Sequence, residues 1–180
     1  SISWTKLKRV PLVIGWWENR YYGIPVRSWL VYILIIFARL SVEQAKEIAA
    51  RYSLDRETQK LIEDSFAVPQ LAGKINADSS LLNSELHDML GALAVENIIY
   101  LLLHIKNEAD WEKVVGYLDA REKTHLEING HDLIAMGLKR GPHFKAILDE
   151  LYRIKLDQKI KSKQDEMDTV QQWINEGRFT

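Results

Sequence analysis

Cysteine is absent from the chain, so disulfides and thiolate metal sites are excluded. No window alternates apolar and polar residues convincingly with period two, and no Asn-Gly or Asp-Gly turn sits between β-branched runs, so no strand is expected. The most apolar run, Trp29 to Ala38, is bracketed by Arg27 and Arg39. It falls well short of the roughly twenty residues that a membrane-spanning helix needs, so it reads as a core helix and no membrane partner is expected. The formal net charge is −1, which removes the global basic field that drives nonspecific nucleic-acid binding. Any nucleic-acid surface must then be a local patch. There is no fixed-period repeat and no low-complexity tract. No phosphate-cradling Walker loop, dinucleotide fingerprint or nucleophile elbow is present. The N-terminus lacks the pattern of a secretory signal, which points to the cytoplasm. It also lacks a starting methionine, which points to a piece of something longer.

What is present suits an ordinary folded protein. The 180 residues, 47% hydrophobic and 27% charged, are enough for one domain or two small ones. The periodicity predicts helices throughout. Ser1 to Trp17 reads as an irregular or broken helix interrupted by Pro11, and a second helix runs from about Val26 to Leu40. Ser41 with Gln44 forms a capping box for a third, ending near Tyr52. Asp55 starts a longer helix carrying Leu61, Ile62 and Phe66 until Pro69 disturbs it. Gly73 to Ser80 is the most loop-like stretch and the best internal boundary, separating 1–78 from 79–180. Helices over Leu81–Leu90, Val95–Ile105 and Ala109–Lys123 follow. Ser162 with Asp165 caps a last helix whose face is Met167, Val170, Trp173 and Ile174. The expected fold class is all-α, with antiparallel helices joined by short loops.

The best-specified stretch is Ile128 to Trp173. Asn129 reads as an N-cap with Asp132 three residues on, and Gly137 falls where a left-handed residue would end the short helix. Gly141 leads into another start, with Pro142 at the favoured first position. Phe144, Ile147, Leu148, Leu151 and Tyr152 then mark one apolar face. The loop between these helices offers one kind of chemistry. A helix N-terminus presents open amides and the positive end of its dipole, which suits phosphate. Lys139, Arg140, His143 and Lys145 surround it, and Gly141 lets a ligand backbone come close. The same residues equally suit a tight helix connection with merely solvated cations. Downstream, Arg153, Lys155, Lys159, Lys161 and Lys163 extend the track or form a solvated helix end.

Ile128-Asn129-Gly130-His131-Asp132-Leu133, Met136-Gly137-Leu138, Gly141-Pro142, Ile147-Leu148 and Leu156-Asp157 together resemble the C-terminal end of bacterial tRNA nucleotidyltransferases. These are the CCA-adding and A-adding enzymes related to bacterial poly(A) polymerases. Upstream, Ser84-Glu85-Leu86, Leu90 and Glu96-Asn97-Ile98-Ile99-Tyr100-Leu101 are similar to the same family. So, thinly, are Trp29-Leu30 and Arg51-Tyr52-Ser53-Leu54. Arg140 stands where the family commonly has proline, and Gln158 where it commonly has glycine. The resemblance implies a body-like region over 1–78 and a tail over 79–180, with tRNA as partner. It also implies that catalysis, ATP, CTP and magnesium belong to a head whose Gly-Ser turn and Asp-x-Asp pair are absent from this sequence. On this reading Lys139, Arg140, Gly141, His143 and Lys145 are phosphate contacts to tRNA, and the chain has no catalytic residue of its own.

Other readings compete. In one, the helices only scaffold, or form a homodimer, without binding RNA. Two His-Asp doublets, His87-Asp88 and His131-Asp132, invite a degenerate metal phosphohydrolase, although a complete site needs another histidine and aspartate. The aromatic group Trp16, Trp17, Tyr21 and Tyr22 with Arg20 suits either base stacking or, more commonly, helix packing.

Overall fold

The computed structural model describes residues 4–78 and 80–178, and among them only helices, turns and loops occur. Eleven helices follow in order: α1 (Trp4–Arg20), α2 (Ser28–Phe37), α3 (Val42–Arg51), α4 (Arg56–Ser65), α5 (Val68–Ala77), α6 (Asn83–Leu90), α7 (Val95–Leu102), α8 (Glu108–Lys123), α9 (Gly130–Ala135), α10 (His143–Leu156) and α11 (Lys163–Asn175). The all-α expectation holds. Two compact units form, unit 1 from residues 1–80 with 89–112 and unit 2 from 81–88 with 113–180. Ser79, on the expected boundary, lies outside the described residues, as do Ser1 to Ser3 of the expected broken helix.

Unit 1 is built on α7, which is buried from Glu96 to Leu102. A helix apolar on every side has to be surrounded, and α1, α2, α4 and α5 pack against it. Its glutamate and asparagine are met differently, and the buried Oδ1 of Asn97 has no hydrogen-bond partner among the described residues. Asn97 donates to the Leu61 carbonyl at 3.1 Å. Glu96 accepts from the Arg27 amide at 3.1 Å and from its Nε at 2.8 Å. Burial pushes the Glu96 carboxyl up, but the hydrogen bonds from Arg27 outweigh it and hold the group below its ordinary value.

Two expectations fail here for physical reasons. Pro11 does not break α1, because it lies on the exposed side while Val10, Val13, Ile14 and Trp17 carry the buried stripe. The proline removes its own donor and leaves the carbonyl four residues back without its helical partner, a local cost that the buried stripe overrides. Likewise Gly73 is not loop. Pro69 falls in the first turn of α5, where proline is tolerated, and Val68, Ala72 and Ile75 bury one face at helical spacing. Of the aromatic group, Trp17 and Tyr21 are buried, Trp16 stands edge-on to Trp111 at 5.1 Å, and Tyr22 is exposed. The cluster therefore packs helices.

In unit 2, Ile128, Leu133, Ile147, Leu151, Ile160, Val170 and Trp173 form the core, with Phe144, Leu148, Met167 and Ile174 packed against it. The predicted faces of α10 and α11 are thus the buried ones. Glu166, fully buried at the start of α11, accepts from the amides of Glu127 (3.0 Å) and Ile128 (2.9 Å) and pairs with Lys155. That one carboxylate ties α11 to the strap before α9 and to the end of α10. Asp157 similarly takes the Ser84 amide at 2.9 Å and hydroxyl at 2.8 Å, fastening α6 to the end of α10.

Helix ends follow the sequence closely. Capping boxes form at Ser41 with Gln44, Asn129 with Asp132, and Ser162 with Asp165. Four helices stop in a left-handed residue with the paired amide bonds of a Schellman turn, at Ser53, Gly137, Gln158 and Gly177. Two of these are not glycine, and Gln158 is the position where the resembled family has one. Replacing Gln158 by Gly is expected to stabilise unit 2 by about 0.5–1 kcal/mol, since the strain of a left-handed side chain exceeds the added unfolded-state entropy. Urea unfolding checks it, and a loss of stability would show that the Gln158 side chain contributes more than its backbone costs. Gly73→Ala, where an added Cβ meets open space, is expected to stabilise unit 1 by about 0.5–1 kcal/mol. The opposite sign is expected only if Gly73 lies in a loop. Glu166→Ala, leaving Lys155 and two amides without their partner, is expected to cost about 3–5 kcal/mol. Faster hydrogen exchange at the Glu127 and Ile128 amides reports the same loss locally.

Candidate nucleic-acid interface

The loop joining α9 to α10 in unit 2 is held from both sides. The Gly137 amide donates to Ile134 at 2.9 Å and the Leu138 amide to Leu133 at 3.1 Å, and the φ of +94° at Gly137 explains its glycine. Leu138 then packs against the core. Lys139 and Arg140 follow on the exposed crest. Gly141 has its own reason to lack a side chain. A Cβ there would come within 2.7 Å of the His143 ring, which folds back over the glycine and meets Phe144 edge-on at 5.1 Å. Pro142 occupies the N-cap of α10, one residue before the predicted position.

This helix start differs from its neighbours. Side chains cap the adjacent α9 and α11, whereas α10, like α2, α5 and α7, has no side-chain cap. Around it, Lys139, Arg140 and Lys145 are exposed, and among the described residues none of them forms an ion pair. The open dipole end and three uncommitted cations make an electropositive patch that can hold an anion. The predicted five residues therefore come together on one loop and the first turn behind it.

Four of the five downstream cations are spent within the protein, while Lys161 is exposed and, among the described residues, forms no ion pair. Arg153 pairs with Asp88 and, at 3.6 Å, with Glu150. Lys155 bridges Glu166 and Glu127; burial pulls its pKa down, but the hydrogen bonds it donates to the two carboxylates outweigh this and raise it. Lys159 reaches Asp157 at 3.5 Å, and Lys163 reaches Asp132 at 3.0 Å. Sequence shows little of this division, because apart from Glu150 and Asp157 the partner acids are far along the chain.

The His-Asp doublets are likewise occupied. Asp132 accepts from the Asn129 amide at 2.8 Å, and that bond, with Lys163, holds its carboxyl below the ordinary range. His87 contacts the Tyr117 hydroxyl at 3.1 Å and stacks edge-on with Tyr152, while burial, foremost, lowers its pKa. Among the described residues no group of three or more His, Asp or Glu is placed to hold a metal ion. No described helix is long and apolar enough to cross a membrane.

The described residues form an all-helical fold with short connections and an exposed basic loop between α9 and α10. Comparison with known proteins agrees in kind. Residues 27–170 match the family described as tRNA nucleotidyltransferase domain 2, putative, and the chain belongs to that family. It is 25% identical over 166 residues to the A-adding tRNA nucleotidyltransferase of Geobacter sulfurreducens, a match that covers 89% of this chain and 19% of the relative. Its fold is similar to that of the Thermotoga maritima CCA-adding enzyme solved in complex with tRNA. There the TM-score is 0.76 at 22% identity, covering 92% of this chain and 40% of the enzyme. A CCA-adding enzyme solved with CTP gives 0.73 at 22% identity, covering 92% and 39%. The chain thus spans less than half the length of these relatives.

Gly141→Ala is expected to displace the His143 ring while changing stability by no more than about 1 kcal/mol, because a surface side chain can swing aside. A shift in the His143 ring proton signals with an unchanged urea midpoint checks it. Unmoved signals would mean that the ring does not rest on Gly141.

Proposed function

We propose that this chain is a tRNA-gripping helical part of a tRNA nucleotidyltransferase, which positions tRNA for nucleotide addition at its 3′ end by a catalytic head of the family's kind. The observation that carries the reading is the contrast in unit 2: Lys139, Arg140 and Lys145 stay exposed and unpaired at an uncapped helix start while Arg153, Lys155, Lys159 and Lys163 are paired with acids. Such a patch touches phosphates, fixing register and reach without reading bases, which suits a folded RNA recognised by shape. His143 and Gly141 shape the patch, the ring resting where any larger residue would block it.

The relatives' names supply the RNA: the Geobacter protein is named for adding A to tRNA, and the Thermotoga enzyme was solved with tRNA bound. ATP, CTP and magnesium are assigned to the head. The described residues offer no donor set for a divalent ion, so no chemical step is derived from them. The proposed setting is the cytoplasm, where tRNA is matured.

Reversing charge with Lys139→Glu and Arg140→Glu is expected to weaken binding of folded tRNA and to lower the slope of log K against log salt by about two, one for each lost phosphate contact. Fluorescence anisotropy over a salt series, with circular dichroism to confirm the helices, checks it. An unchanged slope would remove the loop from the interface. Absence of tRNA binding at any salt, with a mass that rises with concentration, would instead favour a scaffolding or dimerising role.

A further inference from the structure

Among the eleven described helices, α2 alone carries no charged side chain; its ten residues run Ser-Trp-Leu-Val-Tyr-Ile-Leu-Ile-Ile-Phe. One side of it is used within the protein. Leu30, Val31, Leu34, Ile35 and Phe37 are buried where α2 packs against α1, α4 and α7. The other side is Trp29, Tyr32, Ile33 and Ile36, spaced as one helical stripe. Trp29 stays 53% exposed and Ile36 44%, with Tyr32 and Ile33 partly exposed between them. By contrast, α3 turns Glu43, Lys46, Glu47 and Arg51 outward. An uncharged apolar stripe at the surface marks a contact, not a solvated face.

The stripe excludes one class of partner and suits another. With no cation in it, it offers nothing to a nucleic-acid backbone. It is, however, self-complementary. Laid antiparallel on a second copy, with the two-fold axis between Tyr32 and Ile33, it sets Trp29 on Ile36 of that copy and Tyr32 on its Ile33, as an isologous contact requires. The ends agree. α2 has no acid in its first turn and no base in its last, and an antiparallel neighbour opposes the two dipoles end to end. At its start one guanidinium serves two carboxylates, Arg27 meeting Glu96 at 2.8 Å and Glu57 at 3.0 Å, so that trio keeps a net negative charge. Glu57 is 79% exposed there. Just beyond the other end, Arg39 is exposed and, among the described residues, forms no ion pair. Antiparallel pairing brings this cation of each copy to the exposed acid of the other.

We propose that α2 is a homodimerisation surface: two copies of this chain pair antiparallel through Trp29, Tyr32, Ile33 and Ile36, with Arg39 of each facing Glu57 of the other. A ten-residue helix spans about 15 Å, so the contact is smaller than the roughly 800 Å² per partner of a standard interface. The pair is accordingly weak, half-dissociated on the order of 100 µM. All of these residues lie in unit 1, so the pairing stands or falls apart from the loop at Lys139 and Arg140.

The test is sedimentation equilibrium of the full chain, from about 5 µM to about 1 mM. The mass is expected to climb from 20.9 kDa toward twice that value. Ile36→Glu, which sets a charge within the stripe, should weaken association by about tenfold or more, with helicity by circular dichroism unchanged. Lys139→Glu should leave it as it is. Arg39→Glu and Glu57→Arg should each weaken it about tenfold, since each brings like charges together twice. The decisive step mixes those two variants in equal amounts. In the mixed pair both ion-pair positions again join opposite charges, so association returns to about the parent's strength. A chain that stays monomeric throughout would overturn the proposal and leave the stripe to a different protein surface. Association that Ile36→Glu does not touch would overturn it too, as would a mixture that associates no better than either variant alone.

Discussion

The buried carboxylate of Glu166 is the constraint on which unit 2 depends. A charge removed from water is costly unless its lone pairs are filled, and here two consecutive amides and one ammonium fill them. The amides belong to the strap leading into α9 and the ammonium to the last turn of α10. One side chain on α11 therefore fixes the bearing of both helices that flank the loop. The apolar core under them supplies the larger energy but is tolerant of sliding, whereas a hydrogen-bonded charge is satisfied in one arrangement. The position of Lys139 and Arg140 relative to α10 is set by that arrangement.

Unit 1 uses a similar device at its centre. Glu96, on the most buried helix, is met by both the amide and the guanidinium of Arg27, which also reaches Glu57 at 3.0 Å. Arginine suits this place because its planar fork can serve two acids at once. In each unit a cation is thus spent on holding an acid, and this spending decides which cations remain for a ligand. A count of lysines and arginines along the chain misses it. Lys155 and Lys139 look alike in sequence, yet one is clamped between two glutamates and the other projects from a loop crest.

Local rules were legible and distant ones were not. Ser41, Asn129 and Ser162 announce their helices because a capping box is complete within four residues, and Gly137 announces a stop because its left-handed turn is local. Pro11 and Gly73 mislead for the converse reason. Their local preference is overruled by buried stripes whose partners lie elsewhere, around α7. Ser53 and Gln158 take a left-handed backbone without glycine, so nothing in their own residue types marks the turn. Glu166 reads as one more surface acid beside Asp165 and Asp168 until the strap from Glu127 is brought over it. The five residues of the α9–α10 loop could be grouped because they are neighbours in sequence.

A net charge of −1 is compatible with gripping RNA because screening makes electrostatics local. At physiological salt the Debye length is about 8 Å, so a phosphate at the loop responds to Lys139, Arg140 and Lys145 and hardly to acids on distant helices. On the proposed reading, such a surface has little long-range pull and would act after contact, by fitting phosphates to fixed cations. Rigidity then matters more than the number of charges, since each floppy lysine gives back entropy when it is held. The bracing by Glu166, the glycine beneath His143 and the Schellman stop at Gly137 all serve to fix the loop backbone. Contacts to a folded RNA's backbone made from such a frame set distance and orientation, which is what a remote helical region must supply if chemistry is done elsewhere on the same RNA.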